Sequence, residues 1–299
     1  MNNLQEKLSK HGFGTPEIIL DGELHRFASE GDKNNNAWIV CHDNPDSVVC
    51  VAGDWKRNVK VTFCEPKSEH QIPKQKVNYE AERRIQKIAA QHKVFSRNMD
   101  ALDHVYSLWK NAKPCTAHSY LISKQISGVG LRVDGNDNLL IPMVDIDGKH
   151  WNNQKINQEG AKFFSKGAKT KGCFHPIGDL INSETIVICE GSATGFTIHE
   201  VTGFTTVVCL SADNMLGVGE AIREEYPDAK LMYAADDDQY GSNNSGKEKA
   251  TVAAQMTGGI VVLPQFACTK TKPTDFNDLF ILEGSKVVNS QIVEAWNGL

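Results

Sequence analysis

The last third of the chain alternates with a regularity that few folds accommodate. The run "TIVIC" is followed by "ATGFTIHEV", "TTVVCL" by "NMLGVGEAIREEY", "KLMYAA" by "GKEKATVAAQM", and "GIVVLP" closes the series. Each short run is apolar almost throughout, and each longer one carries the spacing of a helix. Strands without a polar face need cover on both sides, so strand-helix alternation of this kind predicts a mostly parallel sheet between helices, an α/β domain. In such a sheet, ligands gather where the strands end and the loops diverge.

The chain before it reads differently. Residues 1 to about 66 hold strand-like pieces, "EIILDGELHRFA", "AWIVCH", "SVVCVAGDW" and "VKVTFCE", joined by turn residues. They predict a small, mainly antiparallel β domain over 1–76. "EPKSEHQIPKQK" reads as a linker, and 77–112 as helical, with Ile85, Ile88, Phe95, Leu102, Val105 and Trp109 forming one apolar stripe. Basic residues of that stretch read as a wetted helix face. Residues 113–182 return to strands, with tight turns at "DGND" and "DGK". Between Ala161 and Ile177 come Lys162, Lys166, Lys169 and Lys171 with no acid among them, a small basic α+β segment before the α/β domain of 183–299.

Composition adds limits. At 299 residues, 40% hydrophobic and 23% charged, with a net charge of -5, this is an ordinary globular chain of two or three domains. No apolar run approaches membrane-spanning length and the N-terminus is not signal-like, so the expectation is a cytoplasmic protein. Eight cysteines include no CxxC pair and read as reduced, mostly buried thiols rather than a disulfide framework. Cys41, His42, Cys50 and Cys64 have the wrong spacing for a standard zinc site, even with His25 as an outside ligand, and zinc is not expected.

The chemistry concentrates at the strand ends. "TIVIC" ends in Glu190 and Gly191, and "KLMYAA" ends in Asp236, Asp237 and Asp238. On an extended backbone, side chains two apart face the same way, which pairs Asp236 with Asp238 and turns Asp237 aside. Carboxylates so crowded call for a cation, and an all-oxygen set favours Mg²⁺ or Mn²⁺. Such an ion suits phosphate chemistry. Taken singly, the aspartates also fit a solvated loop capping the helix near Ser245, and "TDFNDLF" fits a helix N-cap.

Together, "EGSATG" from Glu190, the Asp236-x-Asp238 pair and "DFND" from Asp275 resemble the TOPRIM domain shared by bacterial DnaG-type primases, topoisomerases and some nucleases. The likeness covers roughly 183–285. "NLLIPMVDIDGKHWNNQKIN" followed by "AKFFSKG" resembles the small basic subdomain before TOPRIM in those primases. "DGELHRF" and "GDW" resemble the N-terminal region of primase-like proteins of phages, plasmids and other mobile elements.

The resemblance implies a DNA primase that makes short RNA primers on single-stranded DNA from ribonucleoside triphosphates. Glu190, Asp236 and Asp238 would be its catalytic and metal-binding acids, and Asp278, with Asp275, its outer acid near the nucleotide. Lys155 and Lys162 would face template or nucleotide phosphates, joined by Lys166, Lys169 and Lys171. A replicative helicase or initiator would be a further partner. A TOPRIM nuclease and a non-catalytic single-strand-binding replication protein are the competing readings. The chain departs from DnaG-type primases in lacking paired CxxH and CxxC zinc ligands, and "CTAH" at 115–118 reads as a turn. The long loop "QYGSNNSGKEKA" brings Lys247 and Lys249 near the acids.

Overall fold

Burial on one face organises the N-terminal part. The computed structural model describes residues 2–44, 47–67, 79–241 and 244–298, so most of the expected linker lies outside the described residues. The chain separates into two compact units, Met1–Ile85 and Gln86–Leu299. In the first, helix α1 (Asn2–Lys10) precedes strands β1 (His25–Phe27), β2 (Ala37–Asp43), β3 (Ser47–Asp54) and β4 (Val59–Pro66), an antiparallel sheet in sequence order. Ala37, Ile39 and Cys41 alternate inward along β2 and pack with Leu4, Leu8 and Phe13.

The β-rich reading of this part named no helix; Leu4 and Leu8, one turn apart, both bury on α1. One expectation needs correction here. Cys41 and Cys50 are not free thiols. They lie directly opposite in the β2–β3 register and form a disulfide, because both point to the same buried face.

Helix α2 (Tyr79–Asn111) begins in the first unit and belongs to the second from Gln86 onward. Its apolar stripe reaches the core only from Leu102 onward: Leu102 and Val105 are buried, whereas Ile88 and Phe95 are exposed. Next come β5 (Lys113–Pro114), α3 (Ser119–Lys124), β6 (Arg132–Val133), β7 (Leu139–Val144), β8 (His150–Ile156) and β9 (Lys162–Phe164). These strands form an antiparallel sheet in sequence order. Its β6–β7 turn is held by Asp134, whose Oδ1 accepts the backbone N–H groups of Asn136 and Asn138. "CTAH" is a turn, with His118 capping α3 by accepting the Tyr120 N–H.

The C-terminal sheet contains β10 (His175–Ile177), β11 (Thr185–Cys189), β12 (Thr205–Val208), β13 (Lys230–Ala234) and β14 (Ile260–Val262). Its order is β10-β12-β11-β13-β14, parallel except for the antiparallel edge β10. The helices are α4 (Ser192–Thr202), α5 (Met215–Glu225), α6 (Ser245–Thr257), α7 (Phe276–Glu283) and α8 (Ser285–Asn297). Ile186, Ile188, Leu231 and Tyr233 pack with α5 and α6. Val187, Cys189, Met232 and Ala234 belong to the core that contains α4, α7 and α8. Each strand is thus buried on both faces, which is why its sequence shows no polar alternation. That second core also takes in Leu139, Ile141 and Ile156 of the antiparallel sheet, so the two sheets of this unit share one interior. Gly195 permits the close seat of α4, since a Cβ there would collide with the Val208 side chain.

Candidate active site

β11 and β13 are hydrogen-bonded neighbours, with Cys189 opposite Ala234. The segments leaving them therefore emerge side by side, carrying Glu190 from one strand and Asp236 from the other. A third acid arrives from Asp275, the N-cap of α7, whose carboxylate accepts the Asp278 N–H at 2.7 Å. Glu190, Asp236 and Asp275 line one cavity of about 420 Å³. Tyr120 and Lys124 of α3, Lys162 of β9 and the first turn of α4 line it as well. The shared core of the two sheets is what brings these basic groups to the acids.

The acids resist ionisation. Burial first, then the charges of Asp275, Glu190 and Asp238, push the Asp236 carboxyl up to about 8, with Lys162 pulling the other way. Burial also raises Asp275, reinforced by Asp278 and opposed by its cap hydrogen bond and Lys124. Glu190 is raised by burial and by Asp238, against a backbone hydrogen bond from Ala212 and the charges of Lys249 and Lys162. One atom stands out: Asp236 Oδ1 is buried with no hydrogen-bond partner.

The remaining predicted residues are placed less uniformly. β13 ends at Ala234, so the two-residue alternation used to pair Asp236 with Asp238 no longer governs the backbone there. Asp238 is exposed and does not line the cavity, although its charge still reaches Asp236 and Glu190. Asp237 does turn aside: its carboxylate accepts from Asn244 at 2.5 Å and lies 3.7 Å from the Lys247 ammonium. Lys249 pairs with Asp213 at 2.5 Å. Asp278 accepts the Thr274 N–H at 3.0 Å and sits 3.7 Å from Lys124, so it braces the wall while Asp275 faces the cavity.

Among the five lysines, Lys162 alone lines the cavity, its ammonium 5.6 Å above the Tyr120 ring. Lys155 is half-buried on β8 and acts on Asp134. Lys169 lies 3.8 Å from Asp145 and over the Trp151 ring. Lys166 and Lys171 are exposed.

Sequence reasoning missed Lys124, Tyr120 and Thr194. Lys124 is held by Asn277, which is fully buried and donates to the Lys124 carbonyl at 2.7 Å and to the Thr197 hydroxyl at 2.9 Å. Nothing in the spacing of the short helix α3 marks it as part of the site.

Among the described residues, no three His, Cys, Asp or Glu side chains are gathered tightly enough to hold a metal ion as they stand. The donor chemistry nevertheless suits a hard divalent cation: three carboxylates in one cavity, ionisation suppressed by burial and then by mutual repulsion, and an orphaned buried oxygen on Asp236.

Residues 185–286 match the model of the Toprim domain. Two proteins of Escherichia coli, each named DNA primase TraC, are similar to the chain. One is 30% identical over 267 residues, covering 85% of this chain and 25% of that protein. The other is 39% identical over 143 residues, covering 45% of this chain and 10% of that protein. The chain thus spans a quarter or less of the length of these relatives. Among solved structures, the primase fragment of the bacteriophage T7 primase-helicase protein overlaps 59% of this chain and 74% of its own. Its identity of 17% and TM-score of 0.44 are too low to bear on activity.

Proposed function

We propose that this chain, a Toprim-domain relative of the TraC primases, is the catalytic core of a DNA primase serving a phage, plasmid or other mobile element. It would join ribonucleotides on single-stranded DNA: the primer 3′ oxygen attacks the α-phosphorus of the incoming triphosphate and pyrophosphate leaves. The observation that carries the reading is the convergence of Glu190, Asp236 and Asp275 with Lys124 and Lys162 in one cavity, in a chain similar to one named DNA primase over 85% of its length. We assign the chemistry to 183–299 and template handling to 113–182.

Asp236 and Glu190 would hold one or two divalent ions, Mg²⁺ or Mn²⁺, with Asp238 or Asp275 completing the set. When bound, the ion lowers the charge on the triphosphate and favours an ionised primer oxygen. Lys162 and Lys124 orient phosphates, and their charges oppose the repulsion an anion would meet among the acids. Lys166 and Lys171, exposed in the segment after β9, suit contacts to the template backbone, which need charge rather than base recognition. A replicative helicase or initiator is the further partner class, and the cytoplasm the place of action. Among the described residues no helix is long and apolar enough to cross a membrane.

Incorporation of labelled ribonucleotides on single-stranded DNA, with Mg²⁺ or Mn²⁺, tests the reading. Short products that disappear with Asp236→Asn are expected. Degradation of the template in place of synthesis, abolished by the same substitution, would replace the primase with a nuclease. DNA binding that survives chelation, with no incorporation, would leave only a binding protein.

A further inference from the structure

We infer that α2 carries a dimerisation seam: over residues 85–99 it pairs antiparallel with the same helix of a second copy of this chain. The inference does not rest on the primase reading.

This part of the helix stands in solvent. Every residue from Arg84 to Arg97 is exposed, a run of about four helical turns. A helical segment of that length is marginal in water by itself, because most helical stability in proteins comes from packing an apolar face. Such a face is present here and uncovered. Ile85, Ile88, Phe95 and Met99 are 65%, 63%, 56% and 40% exposed.

Their spacing says what shape fits them. Ile85, Ile88, His92, Phe95, Met99 and Leu102 follow one another in alternating steps of three and four residues. That repeat makes a narrow seam, which one other helix covers. The same register continues through Tyr106 and Trp109, and there the protein covers the seam itself. Leu102 is buried, and both aromatic rings pack edge-on against His150. The half before Leu102 has the pattern without the cover.

Charge selects a second copy as the occupant. Arg84, Lys87, Lys93 and Arg97 are interrupted by no acid. In the heptad that the apolar residues define, Lys87, Lys93 and Arg97 take outer positions, away from the seam. Ala89, Gln91 and Ser96, which flank it, are uncharged. Two copies therefore meet without like charges across the contact. A different protein recognised by its acids would need the basic residues beside the seam, and they are not there.

Direction follows from the rest of the fold. From Leu102 onward the body of the second unit occupies the seam side of α2, so a parallel copy would run into it. An antiparallel copy lies along the exposed half alone. Ile85 then meets Phe95 of the second copy and Ile88 meets its His92, each contact repeated by the two-fold axis.

Sedimentation velocity on the 299-residue chain, carrying Cys64→Ser and Cys268→Ser to remove the exposed thiols, tests the seam. The mass is expected to approach that of two chains across the micromolar range. Phe95→Asp, which puts an unpaired charge into the seam, should raise the dimer dissociation constant at least about hundredfold. Lys87→Gln, on the outer face, should change it less than about twofold. Phe95 is exposed in the single chain, so its substitution leaves the monomer core intact. Disulfide trapping reads the direction: Ile88→Cys and His92→Cys chains, mixed and oxidised, should link to each other faster than either links to itself. A single-chain mass at every concentration, a dimer that survives Phe95→Asp, or faster self-linking of Ile88→Cys would each overturn the seam.

Discussion

Asp54 in the N-terminal unit closes a β-strand, Asp236 in the C-terminal one follows two residues after another, and both lose much of their water. Asp54 is only 1% exposed, yet its carboxyl is held below the usual range. Burial pushes it up, but hydrogen bonds outweigh that. Its Oδ1 accepts the backbone N–H groups of Lys56 and Arg57, and its Oδ2 accepts from the Ser29 hydroxyl and Arg57 Nε, each at 2.8 Å. Asp236 has no such escort. Its neighbours are other acids, one of its oxygens is unpartnered, and its carboxyl is pushed up to about 8. Burial is common to both; satisfaction of the lone pairs separates an anchor from a site.

The contrast predicts opposite responses to the same chemical change. Asp236→Asn should reduce ribonucleotide incorporation at least about hundredfold, because it removes the charge that would hold the metal. The fold should be unharmed or stabilised, since a carboxyl disfavoured by burial and by its acidic neighbours gives way to a neutral amide; a fall in unfolding temperature would count against this. Asp54→Ala should destabilise the N-terminal unit by about 2–3 kcal/mol, leaving Arg57 and two backbone donors without their acceptor. Hydrogen exchange should show that loss in β2–β4, and no change there would remove Asp54 as an anchor.

Acid sharpens the same comparison. Because the folded carboxyl of Asp54 titrates below its unfolded value, its contribution is complete above the ordinary carboxylate range and is lost as pH falls through the lowered value. Exchange protection in β2–β4 should fade in that window for the wild type, and this acid sensitivity should be smaller in Asp54→Asn. Serine at both Cys41 and Cys50 should cost the same unit about 2 kcal/mol through the freed loop between them, visible as a lower denaturant midpoint with ATP binding unchanged. The smallest effect is expected at Asp278→Asn. It weakens a helix-start hydrogen bond and the Lys124 contact, for about 1 kcal/mol.

These residues also show what the sequence could and could not reveal. Glu190 and Asp236 were legible because apolar, doubly covered strands predict a parallel sheet, and such a sheet delivers its strand ends to one edge. Asp275 was half legible: "TDFND" is an N-cap, as one reading of the fragment allowed, and the capping residue also faces the cavity. Lys124 and Thr194 were not legible. One ends a six-residue helix and the other sits inside a helix turn, and only the packing of two sheets around a shared core gives them their neighbours. The Cys41–Cys50 bond depended on register, which a pair of short strands does not announce. β10 escaped notice as a three-residue antiparallel edge.

The most direct test of the acid cavity as a metal-dependent site is the unfolding temperature of wild type and Asp236→Asn, each without metal and with saturating Mn²⁺. An ion at about a hundred times its dissociation constant stabilises the folded state by about 2.7 kcal/mol, several degrees for a protein of this size. The wild type should rise by that amount, while Asp236→Asn should start as high or higher and barely respond. Equal rises in both proteins would contradict the account, because the ion would then be bound somewhere other than Asp236.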